Sequence, residues 1–166
     1  SGRNKIAMSE LKACIMALGF SGVTTHLNSG NIIFSSDETE ETILVDQIQS
    51  AIQERFHMDI PVFVIWQEEL VDILNHAPDW WGTDDKEIYD NLIFMMPPLL
   101  YTEFYEEIGQ PKEEYERVYY YNKAIFWSFS RGNYQKTNWW SKTANAKVSQ
   151  KITVRTANTV RKIVEL

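Results

Sequence analysis

The chain of 166 residues has a single cysteine, Cys14, so no internal disulfide forms. Cys14 falls with Leu11, Ile15 and Leu18 at helical spacing and reads as a small buried hydrophobe rather than a reactive thiol. No apolar run approaches the ~20 residues of a membrane-spanning helix. The greasiest stretch, Asn91 to Leu100, is broken by Pro97 and Pro98. No leader of the charged-then-apolar type opens the sequence. These features point to a cytoplasmic setting and no membrane partner. Catalytic signatures are also missing: there is no Gly-x-Ser-x-Gly elbow and no phosphate-binding Gly-x-x-x-x-Gly-Lys loop. His26, His57 and His76 share no ligand spacing, so neither a metal nor a cofactor is expected. Asp72 and His76, four apart, read as a solvated helical pair. Glu103, Glu106, Glu107, Glu113, Glu114 and Glu116 read as an acidic surface, with no acid–base couple among them. These patterns assign no reaction and leave an enzyme and a binding protein as equal expectations.

What is present is an ordinary hydrophobic share, 44%, and a net charge of −7. Those values exclude a disordered tail and argue against polyanion binding by the whole chain. The charge is uneven. Residues 131–166 hold Arg131, Lys136, Lys142, Lys147, Lys151, Arg155, Arg161 and Lys162 against Glu165 alone. The last fifth is thus a candidate for a local anion site.

The periodicities predict a helix from Ser9 to Leu18 and a hairpin of Val23–Leu27 with Ile32–Ser35. A helix over 40–56, a strand from Pro61 to Trp66 and a helix from Gln67 to Asn75 follow. The second half reads as strand 88–96, helix 99–108, strands 117–121 and 124–129, helix 134–149, strand 152–154 and helix 157–166. That half is β-α-β-β-α-β, the split-βαβ or ferredoxin-like unit. The first half is the same unit without its opening strand. The fold class is therefore α+β: two ferredoxin-like subdomains with antiparallel sheets, residues 1–76 and 77–166, the first incomplete. On this reading the natural protein begins upstream of Ser1, or another chain fills the gap by strand addition. Trp80-Trp81, in the connector, reads as a staple between the subdomains.

Ser1-Gly2-Arg3-Asn4-Lys5-Ile6, Leu27-Asn28-Ser29-Gly30-Asn31-Ile32, Trp80-Trp81, Tyr134-Gln135-Lys136-Thr137 and the segment Ile152 to Val160 resemble the bacterial domain of unknown function 1697 family, in order along the whole chain. The resemblance implies two ferredoxin-like subdomains, a strand ahead of the Gly-Arg-Asn-Lys segment and no established activity. Thr156 and Ala157 replace an Asn and a Trp of the family pattern, while Thr153, Arg155, Asn158 and Thr159 match it.

Topology then nominates a site. The second helix of a split-βαβ unit starts where its last strand ends, which would gather Arg131, Lys136, Thr137, Arg155, Asn158 and Thr159 beside two helix N-termini. The expected ligand is a small anionic or phosphorylated molecule. The competing explanation is that Thr156 or Asn158 merely caps a helix. A second candidate is the loop pair Gly2, Arg3, Asn4, Lys5 with Asn28, Ser29, Gly30, Asn31, whose backbone N–H groups could cradle an anion or simply shape a turn. Two rival functions are carried. One is a nucleic-acid module stacking bases on aromatics of the two central strands, where Ile125, Trp127 and Phe129 alternate on one and Tyr89 and Phe94 lie on the other, although the strand lacks the usual ribonucleoprotein motif. The other is an interaction domain, including self-association, through the incomplete first sheet.

Overall fold

The computed structural model describes residues 6–27 and 30–166, which divide into one unit of residues 1–65 with 165–166 and a second of 66–164. The boundary falls before the helix Gln67–Asn75 rather than after residue 76. That helix docks on the second unit, where Lys123 and Asn122 bond Glu69 and Tyr121 bonds Asp72.

In the first unit, α1 (Met8–Met16) buries Leu11, Cys14 and Ile15. Its N-terminus follows Ala7 without a side-chain cap, so Ser9 lies inside the first turn, and Gly19 at φ +91° ends the turn beyond it. β1 (Ser21–His26) and β2 (Asn31–Ser35) pair antiparallel, Thr24 against Ile33 and His26 against Asn31. α2 (Glu41–Phe56) buries Leu44, Ile48 and Ile52 and closes on His57 in the left-handed region, at φ +55°. Leu11, Ile15, Val23, Ile48 and Ile52 form one core, with Phe20 stacked on Phe34 at 4.4 Å beside it.

The strand expected from Pro61 to Trp66 does not form. Its alternation is nonetheless real: Ile60, Val62 and Val64 pack on that core in period two. A strand is defined by its ladder, and no described strand lies alongside to complete one. In the second unit the last strand pairs with the first. The first unit shows no such first strand among its described residues.

The second unit follows α3 (Gln67–Asn75) with β3 (Ile88–Met95), α4 (Tyr101–Ile108), β4 (Glu116–Tyr121), β5 (Ala124–Ser130), α5 (Trp139–Asn145), β6 (Ile152–Thr156) and α6 (Ala157–Glu165). The sheet order is β4-β5-β3-β6, all antiparallel, with the two most buried strands central. One face, carrying Ile93, Met95, Ile125, Trp127 and Phe129, packs with Phe104, Ile108 and Trp139 of α4 and α5. Each such side chain contributes roughly 1.5–3 kcal/mol on burial. The other face carries Leu92 and Phe126, and Trp81 lies edge-on to Phe126 at 5.0 Å with its indole N–H donating to the Asn91 carbonyl. Trp81 is thus engaged inside the second unit.

The helix expected over 134–149 is three shorter pieces: a 3₁₀ segment Arg131–Lys136, α5, and a 3₁₀ segment Lys147–Lys151. Side chains force the breaks. The Thr137 hydroxyl donates to the Tyr134 carbonyl and accepts from the Trp140 amide, which restarts the helix. Beyond α5, the Glu107 carboxylate accepts the Val148 amide at 2.7 Å.

Candidate functional site

The sheet register decides what meets at the end of the second unit. Ile88 opens β3 opposite Ser130, the last residue of β5, while Glu116 opens β4 opposite Phe129 and Thr156 ends β6 opposite Asn91. The 3₁₀ segment 131–136 runs off β5 at this end. The Arg131 amide donates to the Glu87 carbonyl and its Nε to the Lys86 carbonyl, both at 2.9 Å. The guanidinium carbon then lies 4.5 Å from the centre of the Tyr89 ring. Lys136 Nζ lies 5.5 Å from the Tyr115 ring. Tyr89 is the second residue of β3 and Tyr115 precedes β4, on either side of β5, so their backbones stand about two strand spacings, ~10 Å, apart. Among the described residues no carboxylate pairs with Arg131 or Lys136. Cation–π contacts at exposed sites are worth only ~0.5–1 kcal/mol, so they orient these cations without neutralising them.

The other expected residues go elsewhere. Arg155 lies opposite Leu92, on the sheet face away from Tyr89. It turns back along its own strand, donating to the Thr153 hydroxyl at 2.6 Å and the Val154 carbonyl at 2.9 Å. Burial lowers its pKa from the ordinary arginine value. The expected convergence of Arg155 with Arg131 and Lys136 therefore does not occur, because strand parity assigns them to different faces. Thr156 Oγ1 accepts the Thr159 amide at 3.3 Å and lies 3.0 Å from the Thr159 hydroxyl, an N-cap for α6. Thr137 is buried in the turn before α5, and Asn158 is exposed on α6.

Of the second candidate, Gly2, Arg3, Asn4, Lys5, Asn28 and Ser29 lie outside the described residues. Gly30 sits at φ +81°, and the Asn31 side-chain amide donates to the His26 carbonyl at 3.1 Å, which is turn geometry.

The base-stacking platform is not available. Trp127 is 2% and Phe129 3% exposed, and both lie in the core with α4 and α5. Phe94, on the opposite face, is buried as well. Asp72 and His76 do more than pair in solvent: the His76 ring stacks on Tyr121 at 3.9 Å, and the Tyr121 hydroxyl donates to Asp72 at 2.7 Å. That bond pushes the Tyr121 pKa up, with a smaller contribution from burial. Among the described residues no group of His, Cys, Asp and Glu is placed to hold a metal ion. A shallow apolar depression at the opposite sheet end involves Leu99, Leu100 and Tyr120, but its lysine, Lys123, is paired with Glu69 at 3.2 Å.

Two features escape the sequence reading. Glu116 belongs to the expected acidic surface, yet it is 3% exposed and its carboxylate accepts four hydrogen bonds, from the Lys112, Asn138 and Trp139 amides and the Trp127 indole. Its signal is parity with Val118, a core-facing residue of the same strand. The other is Trp140, which stays 41% exposed beside Tyr134 and Phe129.

The fold and site together define an α+β protein of two small antiparallel sheets, with two cations held on tyrosine rings at one sheet end and paired with no described carboxylate. The family described as "Protein of unknown function (DUF1697)" matches residues 1–126, and the chain belongs to it. It is also similar to the solved structure of the conserved bacterial protein SP0830 from Streptococcus pneumoniae, at 26% identity and a TM-score of 0.85, covering 99% of this chain and 91% of that one. No curated protein matches the chain. No helix among the described residues is long and apolar enough to cross a membrane.

Proposed function

We propose that the protein binds a small anionic or phosphorylated ligand at the end of the second sheet, through Arg131 and Lys136. The observation that supports this reading is the Arg131 guanidinium, fixed by its Nε bond and its seat on Tyr89 while its terminal nitrogens stay free of any described carboxylate. A planar fork held in place and left unneutralised is suited to an anion. The strand order β4-β5-β3-β6 with helical crossovers supports a ferredoxin-like second unit, and the helix and hairpin order of the first supports a duplication of it. The buried lone thiol is compatible with a cytoplasmic protein. Titration of isotope-labelled protein with inorganic phosphate tests the site. Amide shifts confined to Glu87–Tyr89 and 131–136 are expected, and their loss in Arg131→Gln; shifts absent or spread over the whole surface would count against it.

A second reading rests on the first unit. The extended segment from Ile60 to Ile65 keeps a strand's packing without a strand's ladder, and β2 pairs only with β1 among the described residues. This supports strand addition by a partner segment, a second copy included. Sedimentation of the chain across a concentration series checks self-association; a monomer at every concentration would remove that form of the idea.

A further inference from the structure

We infer that the ligand of this site carries a planar ring beside its anionic group, and that the ring stacks on Trp140: the chemical class is a nucleoside phosphate. The inference rests on the anionic reading of Arg131 and Lys136 given above and goes one step beyond it.

Trp140 is 41% exposed, whereas its neighbour Trp139 is fully buried. Both of its described ring contacts are edge-on, to Phe129 at 5.6 Å and to Tyr134 at 5.0 Å, each inclined by 72°. No described ring lies parallel to the indole. Elsewhere the chain fills such positions itself: Tyr101 stacks on Tyr120 at 4.2 Å and 2°, and His76 on Tyr121 at 3.9 Å and 11°. The stacking place on Trp140 is therefore open.

The indole is also held in place. The Trp140 backbone amide donates to Thr137 Oγ1 at 3.2 Å, which anchors the main chain, and the two edge contacts brace the ring. Little side-chain freedom remains to be lost on binding. The ring is continuous with the cations. Phe129, against Trp140, stacks on Tyr89 at 5.5 Å, and Tyr89 carries Arg131. Tyr134, its other neighbour, lies between Arg131 and Lys136 in the same 3₁₀ segment. A solitary exposed tryptophan would need no explanation. One joined through ring contacts to Arg131, with Lys136 further along the same 3₁₀ segment and neither cation paired with a described carboxylate, presents a stacking surface beside an anion fork. The chain's net charge of −7 disfavours a long polyanion and leaves a small phosphate ester as the fitting occupant.

Calorimetric titration of the full chain with ADP and with inorganic pyrophosphate, both without magnesium, separates the two layers. ADP is expected to bind about ten-fold tighter than pyrophosphate, the factor that base stacking on an aromatic ring supplies. Trp140→Ala should bring ADP down to the pyrophosphate value, Trp140→Phe should retain most of the difference, and Arg131→Gln should weaken both. Circular dichroism of each variant establishes that it folds. Equal affinity for ADP and pyrophosphate would overturn the stacking inference and leave the anion site standing. Binding of neither at millimolar concentration would overturn both.

Discussion

Replacing Glu116 should unfold the second unit's packing more than any other single change to a charged residue. The carboxylate sits where β4 begins and accepts the Asn138 amide at 2.5 Å, the Lys112 amide at 2.9 Å, the Trp127 indole at 3.0 Å and the Trp139 amide at 3.3 Å. It therefore ties the turn before β4, the centre of β5 and the start of α5 to one side chain. In Glu116→Ala the donors at part-buried positions, Lys112 and Asn138, recover water. The Trp127 indole and the Trp139 amide are buried and do not. Two orphaned donors at ~1–3 kcal/mol each, with the vacated space, give a loss of about 4 kcal/mol. That is a large share of the ~5–15 kcal/mol that holds a domain folded. Glu116→Gln keeps the shape but turns an amide N–H₂ toward two donors, for a loss of about 2–3 kcal/mol. Urea unfolding followed by tryptophan fluorescence reads this directly, because all six tryptophans lie in residues 66–164. With a slope near ~2 kcal/mol per molar, the midpoint should fall by about 2 M for Ala and about 1 M for Gln. A shift below ~0.3 M for Glu116→Gln would show that the four bonds are not held in solution, and the account of α5's start would fail with them.

Thr156→Ala removes the N-cap of α6 and should cost about 1 kcal/mol, read as a lower melting temperature, while Thr156→Ser retains most of it. Burial raises the Tyr101 pKa and the hydrogen bond to Asp72 raises that of Tyr121, so ultraviolet titration should show two tyrosines ionising above the ordinary value, of which the Asp72-bonded one is Tyr121. Because that pKa is raised on folding, the bond's contribution holds below the ordinary tyrosine pKa and is lost as pH rises through the shifted one. Asp72→Asn should return that tyrosine to the common range. Burial raises the Cys14 pKa, only partly offset by the positive charge of Arg55. Alkylation of the native protein at pH 8 should accordingly be much slower than that of the urea-unfolded chain, and equal rates would contradict the burial.

Much of the fold was legible because it depends on periodicity. The tyrosines 119–121 show this: Tyr119 and Tyr121 share a face, while Tyr120 turns to the other and stacks on Tyr101. The register was not legible, and the site followed the register. Whether Arg155 shares a face with Tyr89 depends on which residues of β6 and β3 sit opposite each other, which no single strand's pattern records. Glu116 was hidden by its neighbours Glu113 and Glu114, since burial of a carboxylate needs donors contributed from residues 112, 127, 138 and 139. The Pro61 strand failed in an informative way: the side chains obeyed the pattern, while the ladder required a second strand that periodicity cannot supply.

The edge of β2 that no described strand covers also bears on colloidal behaviour. An unpaired strand edge is a template for another copy. Directly after β2 the chain places Asp37, Glu38 and Glu40, which would face the same residues of an approaching copy in a parallel, in-register edge-to-edge contact. Such like charges act as gatekeepers while their field reaches across the gap. At physiological salt that reach is only ~8 Å, and it shrinks to ~3 Å at molar salt. The acidic turn therefore works as a salt-dependent guard on the edge, and dilute buffer, not concentrated salt, is the medium in which this protein should stay dispersed.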